Sequence, residues 1–468
     1  MSIHAYEVDP ADIAFGITDS EIAAFDAEKP EDGGGESPAS IIGQERAVRA
    51  IGLGMGIRAK GYNIYVTGLP GTGKRTAITK ILDVRAAQAR ALCDLAYVNN
   101  FRQPDSPLIL RFEAGRGGVF KQALERLVDN LKKALSRRKT PAAAAPAIQA
   151  EVKALRGEFS GPKVSGYLAA LEEDLAQNFH LFTESFSDDP SVEPPAYRYG
   201  VNLIVDNRAG KPPVIFETFP DHAAIFGNQE PAGEGRSHFM LLRAGSLIRA
   251  SGGFLILRAE DLLNEEDAWN SLKRALEDGR TEIRNPPNPF YSVPSPLKPE
   301  AVEIDTKIIL LGNENTYDYL YNADDDFPKL FKVHAEFDSV MDRDKRGVRE
   351  YINFIRRLTA EEALPDFDYS GLAAVLEYGV RVGEFRSKLT TRFSLIAGLI
   401  REAGYWASLA GGKTVNRAMV ARALDERRFL HNLPEAKIDE QILSGELLLS
   451  LRGKAVGRIN GLGIIDRG

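Results

Sequence analysis

The stretch from Asn63 to Thr76 reads N-I-Y-V-T-G-L-P-G-T-G-K-R-T and has the makings of a phosphate site. Gly68, Gly71 and Gly73, with Thr72 between the last two, let consecutive backbone N–H groups turn inward around an anion. Lys74 follows with a charge that reaches the β- and γ-phosphates of a nucleotide. The spacing from Gly68 to Lys74 fits G-x-x-x-x-G-K. One position departs from it. Ser or Thr should come next, to hold Mg²⁺, and the chain has Arg75, with Thr76 one place late.

Such a loop needs a strand in front and a helix behind. Ile64 to Thr67 is an apolar run, and Ile78, Ile81 and Leu82 share one helical face. The helix N-terminus would add its positive dipole end to the anion site. A glycine-rich strand-to-helix turn without a ligand would need only part of this pattern. Here strand, spacing, lysine and helix agree, which points to ATP or ADP.

Composition sets the frame. The 468 residues suit about three domains, and 44% hydrophobic residues can fill sizeable cores. A net charge of −7 gives no global signal for nucleic acid or an anionic membrane surface. The single cysteine, Cys93, excludes a disulfide framework and a cysteine-based zinc site, and the six histidines lack metal-ligand spacing. No leader segment or long apolar run is visible, so a cytoplasmic protein is the simplest account.

Along the chain, the acidic, glycine-rich run E-K-P-E-D-G-G-G-E-S-P closes a weakly ordered beginning. Ala47, Val48 and Ile51 mark a helix, and Ala96 to Val98 a strand. Phe120, Leu124, Leu127, Leu131 and Leu135 form a helical stripe, P-A-A-A-A-P (Pro141 to Pro146) interrupts it, and Val164, Leu168, Leu171, Leu175 and Phe182 resume it. This is either an antiparallel helical hairpin or two ordinary amphipathic helices. Tyr197 to Asp206 and Val214 to Thr218 flank N-R-A-G (Asn207 to Gly210), a hairpin signal, and a second hairpin is expected from Thr281 to Val293. Gly253 to Leu257 and Lys307 to Leu311 read as central parallel strands, with a helix around Trp269 to Leu276 between them. Residues 347–430 read as helical throughout. From Glu446 the pattern returns to strands and stops at D-R-G, as a piece of a longer protein would.

G-Q-E-R-A-V before the loop, then G-S-L-I-R-A-S-G-G-F-L-I-L, then L-T-T-R-F-S-L-I-A-G-L-I-R-E-A, resemble the AAA+ module of Lon-like ATP-dependent proteases. The Lon-related group with a helical insertion in its ATPase domain is the particular likeness, and the closing G-R-I-N-G-L-G-I-I-D-R-G is similar to the opening of the family's proteolytic domain. The resemblance implies an α/β fold. An AAA+ P-loop core, a parallel sheet flanked by helices, would carry a helical insertion and a C-terminal α-helical lid. The partition expected is a weakly ordered segment (1–40), core with phosphate loop (41–115), coiled-coil-like insertion (116–190), β-rich insertion and second core part (191–346), lid (347–435) and a truncated protease start (436–468).

The resemblance also carries roles. Gly43 and Gln44 fall at the adenine-side box. Asn313 falls at the polar sensor of the γ-phosphate, though Asn is also a plain turn residue. Arg392 resembles the second sensor, an arginine that grips phosphate bidentately, or else is a solvated helix residue. For the arginine finger only Lys329 and Lys332 stand in the expected place. Peptide-gripping aromatics have three candidate pairs: Phe226-Gly227, Phe239-Met240 and Phe290-Tyr291. A hexameric ring, protein substrates and an attached Ser-Lys protease domain follow from the likeness, and no Ser/Lys pair here matches the protease motif.

The departures concentrate on the metal. Strand Gly253 to Leu257 should end in a carboxylate followed by Glu, and the chain has Arg258 and Ala259, with Glu260 and Asp261 two and three residues late. Two positive centres about 4 Å apart repel by about 4 kcal/mol at intermediate dielectric, so Arg258 opposes Mg²⁺. Arg75 strikes the same metal, while Lys74 is intact. Either Glu260 or Asp261 reaches the metal and the chain is a hydrolysing motor, or Arg258 contacts phosphate and the chain is a non-hydrolysing scaffold. The local chemistry favours the scaffold. A stand-alone remodelling ATPase is the third reading.

Overall fold

In the computed structural model, the described residues are 15–27, 41–85, 92–136, 140–183, 194–230, 238–285 and 297–447, with a few isolated positions beyond. They divide into two compact units. The larger is Arg46–Gly68 with Lys74–Phe337, and the smaller combines the N-terminal residues to Glu45, the loop Leu69–Gly73 and the chain from Asp338 onward.

In chain order the larger unit runs α1 (Glu45–Gly56), β1 (Ile64–Gly68), α2 (Lys74–Arg85), β2 (Cys93–Val98), β3 (Leu108–Glu113), α3 (Arg116–Leu135), α4 (Pro141–Glu158), α5 (Pro162–Gln177), β4 (Val201–Val205), β5 (Val214–Glu217), β6 (Phe254–Arg258), α6 (Ala259–Leu263), α7 (Glu266–Asp278), β7 (Lys307–Leu311), α8 (Glu314–Ala323) and β8 (Val333–Phe337). Five strands form a parallel sheet in the order β8-β1-β7-β6-β5. Val66 lies beside Leu311, Leu311 beside Arg258 and Leu257 beside Glu217. Every strand therefore ends at one edge, and the turns after β1, β6 and β7 emerge together there. Open α/β sheets bind ligands at this edge. Continuous apolar runs suit strands covered on both faces, and Ile64, Val66, Leu255, Ile256, Leu257, Ile308, Ile309 and Leu310 are all buried.

A second, three-stranded antiparallel sheet, β3-β2-β4, carries the inserted helices. The stripe Phe120, Leu124, Leu127, Leu131, Leu135 is buried, together with Ile148, Val152, Leu155, Leu168, Leu171 and Leu175. There are three helices where the sequence suggested two. Pro141 opens α4 at its first position, where no N–H is needed, and the alanines carry the helix past Pro146. The hairpin expected around N-R-A-G does not form. Asn207 donates its N–H to Asp94 Oδ1 and its Nδ2 to the Cys93 carbonyl, which fixes the end of β4 to β2 and sends β5 to the parallel sheet instead. The second hairpin, expected from Thr281 to Val293, falls largely outside the described residues, and Arg280–Thr281 pairs antiparallel with Val302–Glu303, beyond the expected bounds.

The smaller unit packs α9 (Lys345–Glu361), α10 (Tyr369–Gly383), α11 (Phe393–Leu409) and α12 (Arg417–His431) around Tyr351, Ile352, Ile355, Leu372, Leu376, Ile396, Leu399 and Ile400. Asp344, Asp368 and Asn416 cap α9, α10 and α12 by accepting backbone N–H groups at 2.7, 2.8 and 3.1 Å. The region is not helical throughout, because short strands such as Lys388–Thr390, paired with Val340–Asp342, separate the helices. Within the expected weakly ordered beginning, Asp19–Ala27 is a helix whose Ile22 is fully buried in this same core. At the other end Leu433–Leu443 is helical with no buried residue, and most of the expected terminal strands lie outside the described residues.

Candidate nucleotide-binding site

The loop after β1 turns on its glycines. Gly68, Gly71 and Gly73 have φ of 140°, 88° and 77°, a region L side chains seldom adopt. Thr72 is buried, and its Oγ1 donates to the Leu69 carbonyl at 2.9 Å, closing the curl. Within the smaller unit, the Ser394 N–H donates to the Gly71 carbonyl at 3.3 Å, and a Cβ on Gly71 would lie 2.0 Å from Ser394 Oγ. Lys74 opens α2, and its Nζ donates to the Gly68 carbonyl. Burial lowers the pKa of this ammonium, and the negative charge of Glu260 opposes that shift.

Glu260 enters from the turn after β6. Its Oε1 accepts from Asn313 N at 3.0 Å, Asn313 Nδ2 at 2.8 Å and Thr316 Oγ1 at 3.4 Å. Asn313 also caps α8, its Oδ1 accepting from Thr316 N at 2.8 Å. The capping bond locks the amide so that its donor end meets the carboxylate. Asn313 is thus a helix cap whose amide also holds Glu260. Thr316 is a contact the sequence reading missed. Its signal was its place three residues after the cap.

The other metal-side residues point elsewhere. Arg258 is largely exposed and pairs with Asp261 at 3.5 Å, one turn along. Arg75 lays its guanidinium over the Phe216 ring of β5, 4.6 Å from the centroid. Thr76 is exposed and, being a further 100° around α2, does not fall where residue 75 falls. Mg²⁺ demands a near-octahedral set of oxygens. Of the strand-end carboxylate, the hydroxyl after the lysine and Glu260, only Glu260 stands at this edge. Among the described residues no three His, Cys, Asp or Glu side chains gather as a metal group. The donor set fits a nucleotide phosphate and does not fit a metal held in the usual way.

Gly43, Gln44 and Arg392 belong to the smaller unit. Gly43 is in the left-handed region, where a Cβ would press on Met341. Gln44 is buried and reads the Asp338 backbone twice, donating to its carbonyl at 2.8 Å and accepting from its N–H at 3.0 Å. Arg392 precedes α11 with its Nε buried and without a partner. Lys332 is not near the loop of its own chain, as a finger acting in trans need not be. It precedes Val333, which pairs with Ile64 at the start of β1, so it sits a strand length away, on the order of 16 Å, with its Nζ over Tyr62. Phe226 and Phe239 are core residues, which removes them as exposed peptide-gripping aromatics, and Phe290 and Tyr291 lie outside the described residues.

The family model described as "LonB-like, AAA domain" matches residues 210–338, and "Archaeal LonB, AAA+ ATPase LID domain" matches 366–429. "Lon-like LonC helical domain" matches 94–127, the sheet and first helix of the insertion. A putative Lon protease homolog from Haemophilus influenzae is 23% identical over 309 residues, covering 64% of this chain and 50% of the relative. The archaeal Lon protease of Archaeoglobus fulgidus is 24% identical, covering 91% of this chain and 65% of that protein. The chain thus spans about half to two thirds of the length of these relatives. In shape it is similar to NtrX from Brucella abortus in complex with ADP, at 11% identity and a TM-score of 0.36, covering 86% of this chain and 57% of that one.

Proposed function

This chain belongs to the Lon-like AAA+ proteins, and from that premise we propose that it binds ATP or ADP at the loop Gly68–Lys74. In this reading nucleotide-dependent assembly into a hexameric ring presents protein substrates to a Ser-Lys protease domain in a longer chain. The observation that carries the proposal is the convergence of Lys74, Glu260 and Asn313 on one sheet edge, with the carboxylate held by Asn313 and its charge acting on the lysine. A bound nucleotide supplies the phosphate charge that this lysine and the loop N–H groups are built to balance. Lys74 and the backbone of Gly71–Lys74 hold the phosphates, and Asn313 holds Glu260. Hydrolysis is slow in this account, because Arg75 and Arg258 stand where metal donors belong and are committed to Phe216 and Asp261.

A second reading, the hydrolysing motor, is favoured by Glu260 itself. In that reading the carboxylate held by Asn313, whose charge acts on the lysine, takes the proton from water. Phosphate release with and without Mg²⁺, on the wild type and Glu260→Gln, separates the two. Turnover near the background of Glu260→Gln supports the scaffold. Mg²⁺-dependent turnover that falls at least a hundredfold in Glu260→Gln establishes the motor.

A further inference from the structure

Tyr65 lies fully buried in β1, and its Oη has no hydrogen-bond partner. Native structures seldom leave a buried polar atom unpaired. The hydroxyl occupies the point where two turns of the candidate site converge. A Cβ built on Gly312 would lie 2.0 Å from Tyr65 Oη and 3.1 Å from Ala259 Cβ. Gly312 and Ala259 immediately precede Asn313 and Glu260, and only glycine at 312 leaves the phenol its room. The ring is fixed by Tyr317 at 5.2 Å and by Phe327 edge-on at 5.6 Å.

Glu260 has capacity to spare. Its three donors all meet Oε1, whereas a carboxylate offers about four acceptor sites over two oxygens. Burial, aided by the negative charge of Glu260, raises the Tyr65 phenol far above its ordinary range. Oη therefore keeps its proton and is available as a donor within the field of this carboxylate.

We infer that Tyr65 is a positioning residue of the nucleotide site, its hydroxyl donating to Glu260 Oε2, directly or through one water, in the nucleotide-bound state. The inference rests on the nucleotide-binding reading above, since an idle buried donor is retained where another state of the site uses it.

Tyrosine labelled with ¹³C at Cζ tests it on the whole chain, with Tyr65→Phe identifying the resonance. On adding adenylyl imidodiphosphate, the Tyr65 signal moves in the wild type and stays in place in Glu260→Ala. Calorimetry on the same samples reports whether nucleotide binds. Tyr65→Phe keeps the nucleotide-free melting temperature, because the lost hydroxyl made no bond. It weakens adenylyl imidodiphosphate binding about ten- to a hundredfold, the worth of one hydrogen bond to a charged group, with no further loss in a Glu260→Ala background. Should Glu260→Ala unfold, the binding loss and unchanged melting of Tyr65→Phe decide the matter. Nucleotide binding with the Tyr65 signal unmoved, or with full affinity in Tyr65→Phe, overturns the positioning role and leaves the nucleotide reading standing. No binding by the wild type overturns both.

Discussion

Lys74 is the residue on which the nucleotide reading turns. In this structure its ammonium is spent on the carbonyl of its own loop, while Glu260 supports its charge. Removing it should weaken ADP binding about ten- to a hundredfold, the range of a charged hydrogen bond to phosphate. His334 lies in β8, paired with Tyr65 of β1. Its Nε2 is 2.8 Å from Thr67 Oγ1 and its ring stacks on Tyr317 with centroids 3.9 Å apart. Burial holds its pKa below the usual imidazole value, against the carboxylates Glu336, Asp318 and Glu314, which raise it. The folded state thus binds fewer protons than the unfolded one as pH falls below about 6.5, so stability present above that pH is lost below it. Melting temperature against pH should flatten in His334→Asn across this window. An unchanged slope would contradict the assignment.

Elements explain why distant residues meet. Parallel pairing of β1, β7 and β6 delivers Lys74, Asn313 and Glu260 to one edge and leaves Lys332 at the other. The insertion is fastened differently. Asp174 of α5 accepts from Arg198 Nε and Nη2 at 2.9 and 2.6 Å and from Tyr199 Oη at 2.9 Å, tying the helices to the segment that enters β4. Breaking one side of such a pair strands the other, so Asp174→Ala should cost about 3 kcal/mol in denaturant unfolding. A loss under 1 kcal/mol would mean that the apolar stripe alone holds the insertion. Much of this was legible in the sequence. The parallel strands, the helix between them and the stripe follow from periodicity. The register of β4 was not, because Asn207 and Asp94 are 113 residues apart and their pairing leaves no local signal. Pro141 to Pro146 misled for a related reason, since a proline at a helix start looks like one that ends a helix.

For the whole molecule, the LonB-like AAA model covers part of the larger unit and the LID model part of the smaller one. The site was legible where motifs are contiguous, as in Gly68–Lys74, and less so where it depends on which late carboxylate turns inward. The turn after β6 chose Glu260 for Asn313 and gave Asp261 to Arg258. If nucleotide drives ring assembly, mass photometry should show the chain shifting to a hexamer on adding ADP, and Lys74→Ala should not shift. The most direct measurement of the central claim is calorimetry of ADP binding to the wild type and to Lys74→Ala, with and without Mg²⁺. The account predicts saturable binding that needs no Mg²⁺ and is weakened at least tenfold in Lys74→Ala. Absence of binding, or equal binding by the variant, would contradict it.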